Sequence, residues 1–240
     1  MILAAGLGTR LRPLTDDRPK ALVEVSGQTL LEITLRRLRQ FGIGEVIVNV
    51  HHFADMIIDY LGKNANFGMR IEISREDILL NTGGGLKKAA WFFLEDGGEN
   101  PFLLHNVDVL STIDFRRMLQ FHRDKNALAT LAAQKRKTSR YLMFDENGEL
   151  RGRGKRGEID SSASALQSLA FSGVHMISSR LLSMMAEQGA FSIIDTYVRL
   201  ARQEEKVLAF RADHYYWRDL GKLENLAEAE KDVQRKILQL

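Results

Sequence analysis

The sequence contains no cysteine. Disulfides, thiolate metal sites and cysteine nucleophiles are therefore excluded, and any bound metal must be held by oxygen or imidazole ligands. It also has no apolar run approaching the roughly 20 residues needed to cross a bilayer. Its start, MILAAGLGTR, has neither the basic opening nor the long apolar stretch of a secretory signal, so no membrane association and a cytoplasmic location are expected. No basic block dominates: 34 Lys and Arg stand against 31 Asp and Glu, spread along the chain. Nucleic-acid binding more often clusters its cations on one element. The one small gathering, Arg151, Arg153, Lys155 and Arg156, lies in a Gly-rich stretch that reads as a solvated loop, and no nucleic-acid partner is expected. Internal repeats and low-complexity tracts are absent too.

What is present is 240 residues, 45% hydrophobic and 27% charged. That is enough apolar surface for one core and too much for a disordered chain, which predicts a single domain over 1–240. Residues 2–5 form a short apolar run ending in a glycine-rich turn, as a buried parallel strand does, and a loop follows to about Lys20. Helical spacing appears over 30–41, with Arg36, Arg37 and Arg39 between the apolar positions and Gly42 closing it. Next come a strand over 45–50, a helix over 54–61 ended by Gly62, a strand over 70–74, and a helix over 82–94 with a glycine-rich opening. A strand over 101–106, a helix over 114–123 with Asp114 near its positive end, and a strand over 127–133 continue the alternation. It predicts an α/β fold of Rossmann-like kind: an open, mixed, mostly parallel sheet with helices on both faces. Beyond Tyr141 the pattern implies a hairpin about Glu146-Asn147-Gly148 and a polar flap over 151–164. Strands over 170–176 and 207–210 and a helix from about Leu223 complete the chain.

The strongest chemical feature is the loop Gly6-Leu7-Gly8-Thr9-Arg10-Leu11-Arg12-Pro13-Leu14-Thr15, followed by Pro19-Lys20. In α/β sheets, ligands bind beyond the carboxyl ends of the strands, where this loop lies. Glycines there let backbone N–H groups approach phosphate oxygens, and Arg10 and Lys20 add fixed positive charge for a polyanion. The GxxxxGK[ST] spacing of a Walker loop is missing. The position three after Gly8 is Leu11, not Gly, so a dinucleotide fingerprint is missing as well.

LAAGLGTRLRPLT with PKAL resembles the signature of the sugar 1-phosphate nucleotidyltransferase family, whose fold is a single α/β domain. The likeness spans nearly the whole chain, through Asn81-Thr82-Gly83-Gly84-Gly85, Asp108, Phe171-Ser172-Gly173 and Trp217-Arg218-Asp219-Leu220-Gly221. It implies a nucleoside triphosphate and a sugar 1-phosphate as substrates and Mg²⁺ as cofactor. In that resemblance Arg10 binds the β and γ phosphates, Lys20 stabilises charge at the α phosphate, and Asp108 and Asp219 hold the metal. Ala5, Gly6, Gly8, Thr9 and Asn106 belong to the substrate-binding set, Asn81, Thr82, Gly83 and Gly84 lie against the nucleobase, and Ser172 and Gly173 line the sugar pocket. The implied reaction is direct displacement: a sugar phosphate oxygen attacks the α phosphorus and pyrophosphate leaves.

The residues themselves agree. Asp108 follows the apolar run PFLLHN and should emerge near the same sheet edge as Gly6 and Gly8, while Asp219 follows YYW. Two such carboxylates could share a hard cation with phosphate oxygens and water. Without the loop motif the plainer reading, Asp108 as a turn or cap residue and Asp219 as an N-cap of the last helix, would be preferred, and the motif reverses that preference. His51 and His52 point in opposite directions from a strand end and suit one packed and one solvated ring. His105, inside an apolar strand, suits packing, and Tyr216 and Trp217 suit the core.

The sequence departs from the family at Val107, where Gly often precedes the metal aspartate, and at Gly221-Lys222, where Gly-Thr is usual. The Glu-Lys pair that grips the sugar phosphate has no clear match, Arg153 and Lys155 being the nearest candidates. The short chain resembles the compact group of uridylyl enzymes for N-acetylmuramate 1-phosphate and guanylyl enzymes for mannose 1-phosphate, and on that likeness no appended β-helix domain is expected. The loop, NTGGG and WRDLG favour the uridylyl group. A non-catalytic nucleotide-sugar-binding protein is the different-class alternative, although it would be expected to lack Arg10, Lys20 or an aspartate. A glycosyltransferase would need DxD where the chain has Asp108-Val109-Leu110. Oligomeric state is not legible.

Overall fold

Ile2 and Leu3 pair in parallel on both flanks, with Val48 and Asn49 of the strand Glu45–Val50 and with His105 and Asn106 of the strand Phe102–Asn106. An unbroken apolar run is what such a doubly flanked strand requires. A computed structural model describes residues 1–95, 97–98, 100–155 and 166–240. They group into two units, Met1–Asn81 with His105–Thr112 and Tyr216–Leu240, and Thr82–Leu104 with Ile113–Tyr215.

In the first unit Glu45–Val50 also pairs in parallel with Arg70–Arg75. The helix Leu30–Gln40 starts where the Thr29 hydroxyl accepts the Glu32 N–H, an N-cap that satisfies an otherwise orphaned donor. It buries Leu30, Leu31, Ile33, Leu35 and Leu38 on one face, each contributing roughly 1.5–3 kcal/mol by removal from water. Two short antiparallel ribbons complete the unit's strands: Glu24–Val25 with Gln28–Thr29, and Val109–Ser111 with Trp217–Asp219. The helix Leu223–Gln234 follows the second ribbon.

In the second unit Ala129–Gln134 is antiparallel to Gln167–Ile177 and parallel to Val207–Arg211. Arg140–Phe144 and Leu150–Lys155 form the hairpin expected about Gly148, where Asp145 Oδ1 accepts the N–H groups of Asn147 and Glu149 and Gly148 takes φ +76°. Asp114 caps the helix Phe115–Asp124 through the N–H groups of Arg116 and Arg117, as its position implied. The ladders are mixed, as the alternation predicted: those joining Ile2–Leu3, Glu45–Val50, Arg70–Arg75 and Phe102–Asn106 are all parallel, and the antiparallel ones of the large sheet involve Arg140–Phe144, Leu150–Lys155 and Gln167–Ile177.

Several boundaries differ from expectation. The helix Ala54–Lys63 runs through Gly62 and stops at Asn64, because burial of Ile57 and Leu61 outweighs an interior glycine's cost of ~1 kcal/mol. The helix expected over 82–94 is two, Asn81–Lys88 and Ala90–Leu94. Ile193–Arg202, unassigned from sequence, is a helix burying Ile193, Tyr197 and Leu200, a spacing that the sequence did carry. Tyr216 and Trp217 are half-buried in a ribbon, not in the core. Of the expected flap, 151–155 is strand, and 156–165, including Arg156, lies outside the described residues.

Candidate active site

The loop after Leu3 is shaped by Gly8. Its φ of +67° is one that side chains disfavour, and a Cβ there would stand 2.9 Å from Thr15 Cγ2 and 3.1 Å from Lys20 Cβ. Its carbonyl accepts both the Leu11 N–H at 2.8 Å and the Thr15 hydroxyl at 2.9 Å, folding the loop back on itself. Ala5 is buried, whereas Gly6 has nothing within 4 Å of its Cβ position, and Thr9 and Arg10 are exposed. Gly6 thus presents bare backbone to open space, as a phosphate loop requires.

Pro19 sets up the short turn Lys20–Leu22, which turns Lys20 inward, 8% exposed. Its ammonium forms an ion pair with Asp108 Oδ2. Asp108 lies just before Val109–Ser111, and its carbonyl accepts the Leu220 N–H at 2.7 Å, while Asp219 stands opposite Val109 in the ribbon. The two aspartates, 111 residues apart in sequence, are therefore on neighbouring backbones. Asp219 Oδ1 accepts the Gly221 N–H at 2.7 Å, and its carbonyl accepts from Asn225 Nδ2 at 2.6 Å. The same ribbon is fastened to the last helix where Asp232 Oδ2 accepts from Tyr216 Oη at 2.7 Å and Arg218 Nη2 at 2.6 Å.

Gly221 marks the point of convergence. A Cβ at this residue would lie 2.7 Å from Arg10 Nη2, 2.7 Å from Asp219 Oδ1 and 3.2 Å from Lys20 Nζ. The first unit thus brings Gly8, Arg10, Lys20, Asp108 and Asp219 together. Asn106 adjoins them in sequence, half-buried, and among the described residues its Oδ1 is buried with no hydrogen-bond partner, an acceptor without a donor. No three His, Asp or Glu side chains among the described residues are grouped to hold a metal by themselves. Cysteine is absent, so a cation between Asp108 and Asp219 would complete its shell with phosphate oxygens and water, as Mg²⁺ commonly does.

Asn81 ends the first unit at φ +58°, exposed. Thr82, Gly83 and Gly84 belong to the second unit, where Thr82 Oγ1 accepts the Ile193 N–H at 3.0 Å and the Gly83 N–H bonds Phe191 O at 2.9 Å. A Cβ on Gly83 would meet the Phe191 ring at 2.3 Å, so helix packing alone already demands glycine there. Ser172 is fully buried and Gly173, at φ +74°, sits where the register of Gln167–Ile177 shifts. Arg153 pairs with Asp195 at 2.5 Å.

His51 Nδ1 shares a hydrogen with Glu76 O at 2.8 Å, and His52 is exposed. His105 is 1% exposed, and burial pushes its pKa from 6.5 down to about 4. The folded chain therefore keeps this ring neutral while the unfolded chain protonates it below pH 6.5. Its contribution to stability is present above that pH and is lost as pH falls towards about 4, by up to about 1.4 kcal/mol per unit. Urea midpoints at about pH 7 and about pH 5 check this, and His105→Gln should reduce the acid-side loss.

A family model described as nucleotidyl transferase matches residues 1–236. An N-acetylmuramate alpha-1-phosphate uridylyltransferase from Caulobacter vibrioides is 48% identical over 111 residues, 45% of this chain and 44% of that protein. A UTP–glucose-1-phosphate uridylyltransferase from Synechocystis is 28% identical over 250 residues, 97% of this chain and 62% of that protein. The chain spans less than two thirds of the length of these curated relatives. In fold it resembles a UDP-glucose pyrophosphorylase from Acinetobacter baumanii, with TM-score 0.79 and 18% identity over 98% of this chain and 96% of that one.

Proposed function

This chain belongs to the nucleotidyl transferase family, and on that premise we propose that it transfers a nucleoside monophosphate from a nucleoside triphosphate to a sugar 1-phosphate, releasing pyrophosphate. The observation that carries this reading is the convergence at Gly221 of Arg10, Lys20 and Asp219, with Asp108 on the same lysine. Two cations with two carboxylates suit a metal-bound polyphosphate better than a neutral ligand.

Gly6 and Gly8 would cradle phosphate oxygens with backbone N–H groups, with Ala5, Thr9 and Asn106 beside them in the substrate-binding set. Arg10, exposed and fork-shaped, would hold the β and γ phosphates. Lys20, compact and already beside Asp108, would neutralise charge gathering at the α phosphate. Asp108 and Asp219 would hold Mg²⁺, which when bound supplies neutralisation of the triphosphate and polarisation of its phosphoryl oxygens. The nucleobase would lie against Asn81, Thr82, Gly83 and Gly84, and the sugar near Ser172 and Gly173. Catalysis is then positioning plus charge stabilisation, with no covalent enzyme intermediate.

Uridylyl transfer to a sugar of the N-acetylmuramate 1-phosphate kind is supported by the higher identity, 48% and 42%, of the two N-acetylmuramate alpha-1-phosphate uridylyltransferases, while mannose-1-phosphate guanylyltransferases among the relatives, at 33% and 35%, support guanylyl transfer as the alternative. The test crosses UTP, GTP, dTTP and ATP with several sugar 1-phosphates and reads pyrophosphate release with and without Mg²⁺. We expect magnesium-dependent release, greatest with UTP. Greatest release with GTP would move the assignment to guanylyl transfer, and none with any pair would sink the enzymatic reading in favour of nucleotide-sugar binding.

A further inference from the structure

Behind the phosphate-facing loop lies a buried chain of hydrogen bonds that none of the assigned roles uses. The strand ends at Leu3, opposite Asn49, and the next donor, the Ala4 N–H, is taken by the Asn49 side chain, with Oδ1 accepting at 2.7 Å. That fixes the amide's orientation, and its Nδ2 donates to Glu76 Oε1 at 2.7 Å. The other carboxylate oxygen, Oε2, accepts the Leu80 N–H at 2.9 Å, one residue before Asn81. Asn49 is 2% exposed and Glu76 3%. Glu76 is itself held by its backbone, its N–H on Val50 O at 2.8 Å and its carbonyl on His51 Nδ1.

We propose that Asn49 and Glu76 are positioning residues for nucleotide binding, tying the first residue of the phosphate-facing loop, Ala4, to the Leu80–Asn81 segment through an amide and a carboxylate. The proposal rests on the nucleotidyl-transfer reading. The link is polar and fully directional: Ala4 needs an acceptor, Leu80 needs an acceptor, and the amide and carboxylate meet both only in this order. An apolar pair of similar size would fill the space and leave two buried N–H groups orphaned.

The order yields a sharp test. Glu76→Gln sets an NH₂ against either Asn49 Nδ2 or the Leu80 N–H. Adding Asn49→Asp restores every bond, because the new carboxylate accepts from Ala4 and from the glutamine NH₂ while the glutamine carbonyl accepts from Leu80. We expect Glu76→Gln to raise the KM for the nucleoside triphosphate about tenfold with little change in that for the sugar phosphate. Amide hydrogen exchange at Ala4 and Leu80 should quicken while that of Val46–Val50 stays slow, and the double swap should return KM to within about threefold of the parent. If Glu76→Gln is too unstable to assay, Asn49→Ser, whose short hydroxyl cannot span Ala4 and Glu76 and so cuts the link at its middle, should show the same triphosphate-specific rise.

Equal changes in both KM values tracking a lower melting temperature, no change in either, or failure of the double swap to recover would overturn the proposal. Absence of turnover by the parent chain with every substrate pair would count against the function reading alone. The proposal would then be decided by titrating UTP with Mg²⁺ into the same variants, where an unchanged affinity in Glu76→Gln rejects it and a loss recovered by the double swap upholds it.

Discussion

Lys20→Met is expected to lower kcat/KM for nucleotidyl transfer by about 10²–10³, some 3–4 kcal/mol of transition-state stabilisation, most of it in kcat. The side chain is 10% exposed, its ammonium is paired with Asp108 and it stands 3.2 Å from the Cβ position of Gly221, so its charge acts where water screens little. Methionine keeps the length and apolar stem and removes the charge alone. Lys20→Arg should not rescue. A planar guanidinium is bulkier than an ammonium, and the Lys20 stem is confined beside Gly8, 3.1 Å from that residue's Cβ position. Steady-state pyrophosphate release measures the effect. A variant keeping more than about a tenth of parental kcat would remove Lys20 from the chemistry.

Gly221→Ala is the second large effect, and its sign on stability separates it from ordinary damage. Gly221 lies outside the left-handed region, so its backbone accepts alanine, which by reducing unfolded-chain freedom can add about 0.4–1 kcal/mol. Yet the methyl would arrive 2.7 Å from both Arg10 Nη2 and Asp219 Oδ1, pushing apart a cation and a carboxylate. A shift near 1 Å at a reacting centre costs on the order of 10²-fold, so activity should fall about that far while the melting temperature moves by no more than a few degrees. Gly8→Ala is the contrast: at φ +67° and 2.9 Å from Thr15 Cγ2 it should lose stability and activity together. Melting and turnover on one preparation of each variant decide it. Loss of both properties in Gly221→Ala would mean that the residue supports the fold and not the site.

How legible these features were depended on the length of the pattern that carries them. The helix Leu30–Gln40 and the strand Glu45–Val50 run for several turns or pleats and were readable within a residue. The ribbon that sets Asp219 opposite Val109 is three residues on each strand. Three residues have no measurable period, so only the motif pointed to Asp108 and Asp219. Gly221 entered only as the end of the WRDLG likeness, and nothing local reveals that Arg10, Lys20 and Asp219 crowd its missing side chain. Gly83 shows the reverse: the family likeness sets it against a base, yet Phe191, more than a hundred residues on, already requires a glycine there.

By itself the sequence determined the chemical inventory and the class of fold. No thiols, a glycine loop with Arg10 and Lys20, two well-separated aspartates and an alternating apolar pattern are all local facts, fixed by residue type and spacing along a few turns of chain. Only tertiary structure decided which of them meet. Lys20 on Asp108, Leu220 on the Asp108 carbonyl and Asn49 between Ala4 and Glu76 are contacts over sequence distances that no local period encodes. They form because buried donors and charges must find partners once the apolar faces have closed around them.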